Sequence, residues 1–159
     1  MPKSNHPAIR KAKKGESQPS IHGTKLWKSS ALVIDYLRKN TPEFYQQVID
    51  VGCGWGAGGI WCAKNLNSQV TSMDADPDVF KFLDITANLN KVQTDHLVCR
   101  FDQLRKKRLA NYDLLIAADI CFWDELAEPV YKMVGRAISA GVKQILISDP
   151  ERSPFLKVA

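Results

Sequence analysis

No apolar run in the sequence approaches the ~20 residues needed to cross a bilayer, and no apolar stretch follows the basic N-terminal residues as a secretory signal requires. A membrane-spanning or exported chain is therefore not expected. Paired cysteines are missing as well: Cys53, Cys62, Cys99 and Cys121 stand apart, with no C-x-x-C among them. That excludes a disulfide framework and a thiolate zinc site, and it suits the reduced thiols of a cytoplasmic protein. His6, His22 and His96 are few and scattered, so no metal is expected. Internal repeats and low-complexity core segments are also absent. What is present is a 159-residue chain with 45% hydrophobic residues, enough for the core of one domain.

Charge is concentrated at one end. Lys3, Arg10, Lys11, Lys13, Lys14 and Lys25 face a single acid, Glu16, within residues 1–25, and the remainder is balanced. The net charge of +5 thus belongs to the N-terminal segment. Residues 1–20 hold Pro2, Pro7, Gly15 and Pro19 and few apolar side chains, and they read as a flexible basic arm ahead of a domain over residues 21–159. Such an arm is either a solvated tail or a dock for RNA or another acidic partner.

From Trp27 the periodicity changes. Leu26, Ala31, Val33, Ile34 and Leu37 recur at helical spacing until Asn40-Thr41-Pro42. Strands are expected over 47–51, 69–74, 96–101, 112–118 and 143–148, with helices over 57–66, from Asp76-Pro77 through Leu89, and over 126–138. Alternation of strand and helix, with nearly continuous apolar strands, predicts an α/β doubly wound, Rossmann-like parallel sheet. Residues 150–159 are too few for a further hairpin, so the fifth strand is expected to be an exposed edge.

The stretch Val48-Ile-Asp-Val-Gly-Cys-Gly-Trp-Gly-Ala57 runs a buried strand into a glycine turn and a helix. Glycines allow a tight turn and close approach of a ligand, and the helix start offers unpaired N–H groups. Ligands of open α/β sheets sit outside the carboxyl ends of the strands. Asp74, at the end of the second strand and 20 residues after Gly54, is placed to accept ribose hydroxyls. The residues alone leave two adenosine cofactors open, a nicotinamide dinucleotide or S-adenosylmethionine (SAM).

The run Ile49 to Gly56 resembles the first motif of the seven-strand SAM methyltransferases. In that family Asp50 would help hold the glycine loop, Asp74 would bind the ribose, and Asp102 would lie at the adenine. Asp119-Ile-Cys-Phe122 resembles the D-x-x-Y motif of the family 16 protein lysine methyltransferases, which include enzymes acting on electron transfer flavoprotein; here phenylalanine replaces the tyrosine. Gly23-Thr-Lys-Leu-Trp27 and Ser148-Asp-Pro-Glu-Arg-Ser-Pro154 extend the likeness over residues 22–154. It implies strand order 3-2-1-4-5, here expected without the family's usual C-terminal strand pair, as in a C-terminally truncated chain. It implies SAM as cofactor, held by Trp27, Asp50, Gly52, Cys53, Gly54, Gly56, Asp74, Ala75, Asp102 and Ala118. Asp119 would orient an acceptor amine, and Phe122 with Trp123 would line its channel. Gln103 stands where many relatives carry an aromatic beside the adenine, which predicts weaker stacking.

The activity so implied is methyl transfer to an amine, a lysine of a protein substrate. RNA or a small molecule is the alternative acceptor, and a non-catalytic SAM-binding partner module is the alternative role. The Asn/Asp-Pro-Pro-Tyr/Phe element of amino-adenine methyltransferases is missing after the fourth strand, and no hydride-transfer residues stand out for an NAD enzyme. Asp149 and Arg152, flanking the end of the fifth strand, either shape the substrate mouth or pair on the surface. The basic run Arg105 to Arg108 reads as a solvated loop, or as a contact for RNA.

Overall fold

The computed structural model describes residues 2, 5–15, 18–20, 27–40 and 45–159. The sheet is built outward from β1 (Gln47–Val51), which pairs in parallel with β2 (Gln69–Asp74) on one side and β4 (Leu114–Ala118) on the other. β3 (Asp95–Val98) extends the β2 side and β5 (Gln144–Ser148) the β4 side, giving the order 3-2-1-4-5 with every pairing parallel. β4 is apolar throughout and β1 at Val48, Ile49 and Val51, because both faces are covered. Successive side chains alternate between two cores. Val48, Leu114 and Ile116 meet Val33 and Leu37 of α2 (Ser29–Lys39) and Cys62 of α3 (Ala57–Asn65). Ile49, Val51, Leu115 and Ala117 meet Val130, Met133 and Ala137 of α6 (Asp124–Ala140) on the other face. The crossover between β2 and β3 is α4 (Phe80–Asn90), entered through a 3-10 turn over Pro77–Val79. Asp76 caps that turn as expected, its side chain accepting the Asp78 N–H at 3.0 Å.

β1 and β2, which carry the motif, have the expected bounds; β4 starts at Leu114 rather than Tyr112, and further expectations fail at the periphery. β3 ends at Val98 rather than running to Phe101. Residues Phe101–Gln103 curl into a 3-10 turn, and Arg136 of α6 donates to the carbonyls of Phe101 (2.5 Å) and Leu104 (3.0 Å). Those carbonyls face a guanidinium instead of continuing a ladder. The run read as a loop forms a short helix, α5 (Lys106–Leu109), anchored by buried Leu109. α6 starts before Leu126 because Asp124 and Glu125 suit the positive end of its dipole.

The segment read as a flexible arm carries α1 (Pro7–Ala12). Its Ile9 is fully buried against the stacked rings of Trp55 and Phe82, and the Ser20 N–H donates to Asp76 Oδ2 at 2.5 Å. A single apolar side chain docks this stretch, too little to register in composition. Gly23 to Leu26 of the tryptophan motif, with Lys25, and Thr41-Pro42 lie outside the described residues. At the far edge, β5 pairs only with β4 among the described residues. After it, α7 (Ser153–Leu156) turns back toward α6, where Lys157 Nζ meets Asp124 Oδ1 at 2.5 Å. Among the described residues no helix is long and apolar enough to cross a membrane.

Candidate cofactor and acceptor site

β1 delivers its chain to the sheet's carboxyl edge at Gly52, where φ is +66° and a Cβ would stand 2.6 Å from Ile120 Cγ2. Only glycine fits a left-handed turn with that neighbour. The Cys53 N–H still reaches the Met73 carbonyl at 3.0 Å, so the loop leaves the ladder one residue at a time. Beneath it, buried Asp50 accepts the Gly59 N–H at 2.9 Å. A Cβ on Gly59 would lie 3.0 Å from that same carboxylate and 2.9 Å from Val70 Cγ1, so glycine lets α3 rest on Asp50. Burial pushes the Asp50 carboxyl up to about 7; the Gly59 N–H opposes the shift and the charge of Asp74 adds to it.

Asp74, the last residue of β2, accepts the Gly54 N–H on Oδ2 and the Asp76 N–H on Oδ1, each at 3.0 Å. Burial raises its pKa, and these N–H groups pull it back down. The carboxylate thus ties the glycine loop to the β2 turn and stands on the wall of a cavity of about 700 Å³. Ligand pockets of roughly 300–1,000 Å³ hold cofactor-sized molecules.

The cavity brings together most of the expected residues: Trp27, Asp50, Gly52, Cys53, Gly54, Asp74, Ala75, Asp102, Ala118, Asp119 and Phe122 all line it. Gly56 does not; it caps α3 with φ +75° and donates to the Cys53 carbonyl at 2.7 Å. Trp123 is 55% exposed and off the wall, its ring edge-on to Phe122 at 4.8 Å, so the aromatic channel rests on Phe122. Gln103 also points away, its Oε1 accepting the Arg100 N–H at 2.9 Å. The aromatic ring at this end is Phe101, which lines the cavity beside Asp102. Asp102 itself is exposed, and its hydrogen bond with Arg100 holds its carboxyl below the usual range. Sequence reasoning also missed Ser20, Trp55, Val79, Leu126 and Pro129 on the wall. Phe101 could have been found from its place beside Asp102; the others depend on the packing of α1, α4 and α6.

Asp119 follows β4 with φ +59°, a left-handed conformation that aspartate tolerates better than most residues. Its N–H donates to the Ser148 carbonyl at 2.9 Å, extending the β4–β5 ladder. The side chain is 5% exposed, and Oδ1 lies 2.6 Å from Arg152 Nη2. That contact is a charge pairing off the N–H axis, because no hydrogen-bond donor among the described residues serves buried Oδ1. Arg152 also pairs through Nη1 with Asp149 Oδ2 at 2.9 Å, and its guanidinium lies 6.0 Å from the Trp27 ring centre. Asp149 and Arg152, left open between a mouth and a surface pair, form a largely buried bridge behind the cavity wall.

These features fit SAM. Asp74 suits ribose hydroxyls, the glycine turn leaves room for close approach, and Asp119 adds a second carboxylate to the wall. The methyltransferase small domain family model matches residues 17–118. The chain is 28% identical to the electron transfer flavoprotein beta subunit lysine methyltransferase of Danio rerio, over 81% of this chain and 50% of that protein. It is 27% identical to histidine protein methyltransferase 1 homolog of Dictyostelium discoideum, over 79% of this chain and 42% of that protein. It spans about half the length of the curated relatives it matches. Its fold resembles the N-terminal domain of EvdMO1, solved with SAH bound, with a TM-score of 0.62, 15% identity, and coverage of 88% of this chain and 63% of that one. By motif, sheet order, cavity and family model together, the chain belongs to the methyltransferase small domain family.

Proposed function

We propose that this chain transfers a methyl group from SAM to an amine of a protein, a lysine side chain. The observation that carries the reading is Asp119: a carboxylate on the cavity wall, across the strand ends from Asp74, held from behind by Arg152 at 2.6 Å. A carboxylate accepts through both of its oxygens, and an amine N–H entering the cavity is a donor it can orient. The relatives named as lysine methyltransferases support the choice of acceptor.

SAM, when bound, supplies a methyl group on a cationic sulfonium and leaves a neutral thioether, S-adenosylhomocysteine (SAH). The protein must hold the acceptor in line with that methyl and receive it neutral. A free lysine has a pKa near ~10.4, so presenting it neutral at pH 7 costs roughly 4.6 kcal/mol. Desolvation in the cavity lowers that cost. Asp119 accepts one amine hydrogen and so aims the nitrogen lone pair. The face of Phe122 suits an amine that becomes cationic as it is methylated; the excess proton then returns to solvent. Trp27 and the wall around Ala118 exclude water.

A protein histidine is the second reading, favoured by the histidine methyltransferase relative; imidazole, with a pKa near ~6.5, is already largely neutral at pH 7. Incubation with methyl-tritiated SAM and either purified electron transfer flavoprotein beta subunit or a total protein extract distinguishes the two. Label recovered as methyllysine in the protein hydrolysate is expected. Label only in methylhistidine selects the second reading, and label removed by RNase but not by protease contradicts both.

A further inference from the structure

Asp119, Arg152 and Asp149 place two buried carboxylates on one guanidinium. Asp119 is 5% exposed and Asp149 1%, while Arg152, at 25%, is the cation that pairs with both. The three formal charges leave one negative charge uncompensated. The group is built from both sides: Asp119 at the end of β4 and Glu151 after β5 each take a positive φ, +59° and +64°, to bring the chains into register. The Arg152 N–H donates to Asp149 Oδ1 at 2.7 Å, fixing the second carboxylate under the first. Of the three, Asp119 reaches the cavity.

Of the acids on the cavity wall, Asp50, Asp74, Asp76, Asp102, Asp119 and Glu125, Asp119 is the one that shares a guanidinium with a second buried carboxylate among the described residues. Asp102 is exposed and compensated by Arg100. Burial pushes the Asp50 carboxyl up to about 7 and raises that of Asp74 as well, so both give up their charge more readily than an exposed carboxylate does. Asp74 and Asp119 close strands separated by β1 alone, so their strand ends stand about 10 Å apart at ~4.8 Å per strand. With the ribose held at Asp74, the sulfonium borne on the sugar's 5′ carbon would lie a few bonds away, inside the cavity that Asp119 also lines. A charge buried in protein acts over such distances with little screening.

We infer that the Asp119–Arg152–Asp149 group reads the charge of the methyl donor: its single net negative charge favours cationic SAM and disfavours the neutral thioether SAH. The inference rests on SAM being the cofactor and not on the identity of the acceptor. Arg152 bridges the two carboxylates, with Nη2 at 2.6 Å from Asp119 and Nη1 at 2.9 Å from Asp149. Once the methylated amine has left, only a neutral product faces the group, and its hold is lost.

The test needs no acceptor. Calorimetric titration of wild type, Asp119→Asn, Asp149→Asn and Arg152→Lys with SAM and with SAH gives the ratio of the two affinities. Each aspartate-to-asparagine change is expected to lower the SAM-to-SAH preference about tenfold, chiefly by weakening SAM. Asp149→Asn is the stronger test, because Asp149 lies behind the wall and cannot touch the ligand. Arg152→Lys gives up the bidentate fork but keeps the net charge, and because the ratio reads net charge it is expected to hold within about twofold. An unchanged ratio in both asparagine variants, an equal loss of SAM and SAH in either, or an equally large fall in Arg152→Lys would overturn the inference. None of these results bears on the lysine reading, which the labelling experiment decides separately.

Discussion

The two ends of the cavity solve opposite problems. At the Asp74 end, both carboxylate oxygens meet backbone N–H groups, and the neighbouring turn is shaped by glycines. At the Asp119 end, a carboxylate in a left-handed backbone conformation is held by a guanidinium and not by backbone N–H groups. The first arrangement is satisfied before any ligand arrives, as a binding cradle requires. The second places a charged side chain on the wall in a sparsely populated backbone conformation, and such residues gather where chemistry is done. Donor binding and methyl transfer should therefore be separable by mutation.

Asp119→Asn and Asp74→Ala draw that separation most sharply. At saturating SAM, Asp119→Asn is expected to lower kcat about 100- to 1,000-fold, because asparagine cannot accept from and orient the amine as a carboxylate does. Asp74→Ala is expected to weaken SAM and SAH alike by about 100-fold, through lost charge-assisted hydrogen bonds. It should leave much of kcat intact once SAM is saturating. Steady-state kinetics with calorimetry checks both, and the comparison fails if each variant damages affinity and turnover in equal measure.

A smaller effect is expected from the strap on the cradle side. Ile9→Ala should cost about 1–2 kcal/mol, below the usual range for a core isoleucine because α1 can undock rather than leave a cavity. Urea denaturation gives the value, and limited proteolysis should show faster cleavage within residues 5–15. A third test concerns Asp50, whose folded pKa is raised to about 7 from an ordinary value near 3.8. A carboxyl raised on folding favours the native state fully only below its unfolded pKa. That contribution is lost as pH rises from about 4 through about 7. Asp50→Asn keeps an oxygen for the Gly59 N–H, so it should flatten the fall in melting temperature across that window; an unchanged pH dependence would contradict the assignment.

The cradle was legible in the sequence because it is local. Residues 48–57 contain the strand, the turn and the helix start, and Asp74 lies where the next strand must end. β1 and β2 accordingly begin and end as read. The end of β3 was not legible, since its carbonyls turn toward Arg136, more than thirty residues later. α1 and α5 escaped because each short basic run is held by one apolar side chain, Ile9 or Leu109. Asp119 was found by motif, but its partnership with Arg152 arises only when β4 and β5 pair and bring residues 33 positions apart into contact. The Asp119 end of the site is tertiary, and a linear pattern names its residues without their charges' partners.

Titration of the wild-type chain with SAM, SAH and NAD by calorimetry tests the central assignment most directly. The account predicts one saturable site for SAM and SAH and none for NAD. Binding of NAD with no binding of SAM would contradict it, and would mean that the glycine turn and Asp74 cradle a dinucleotide.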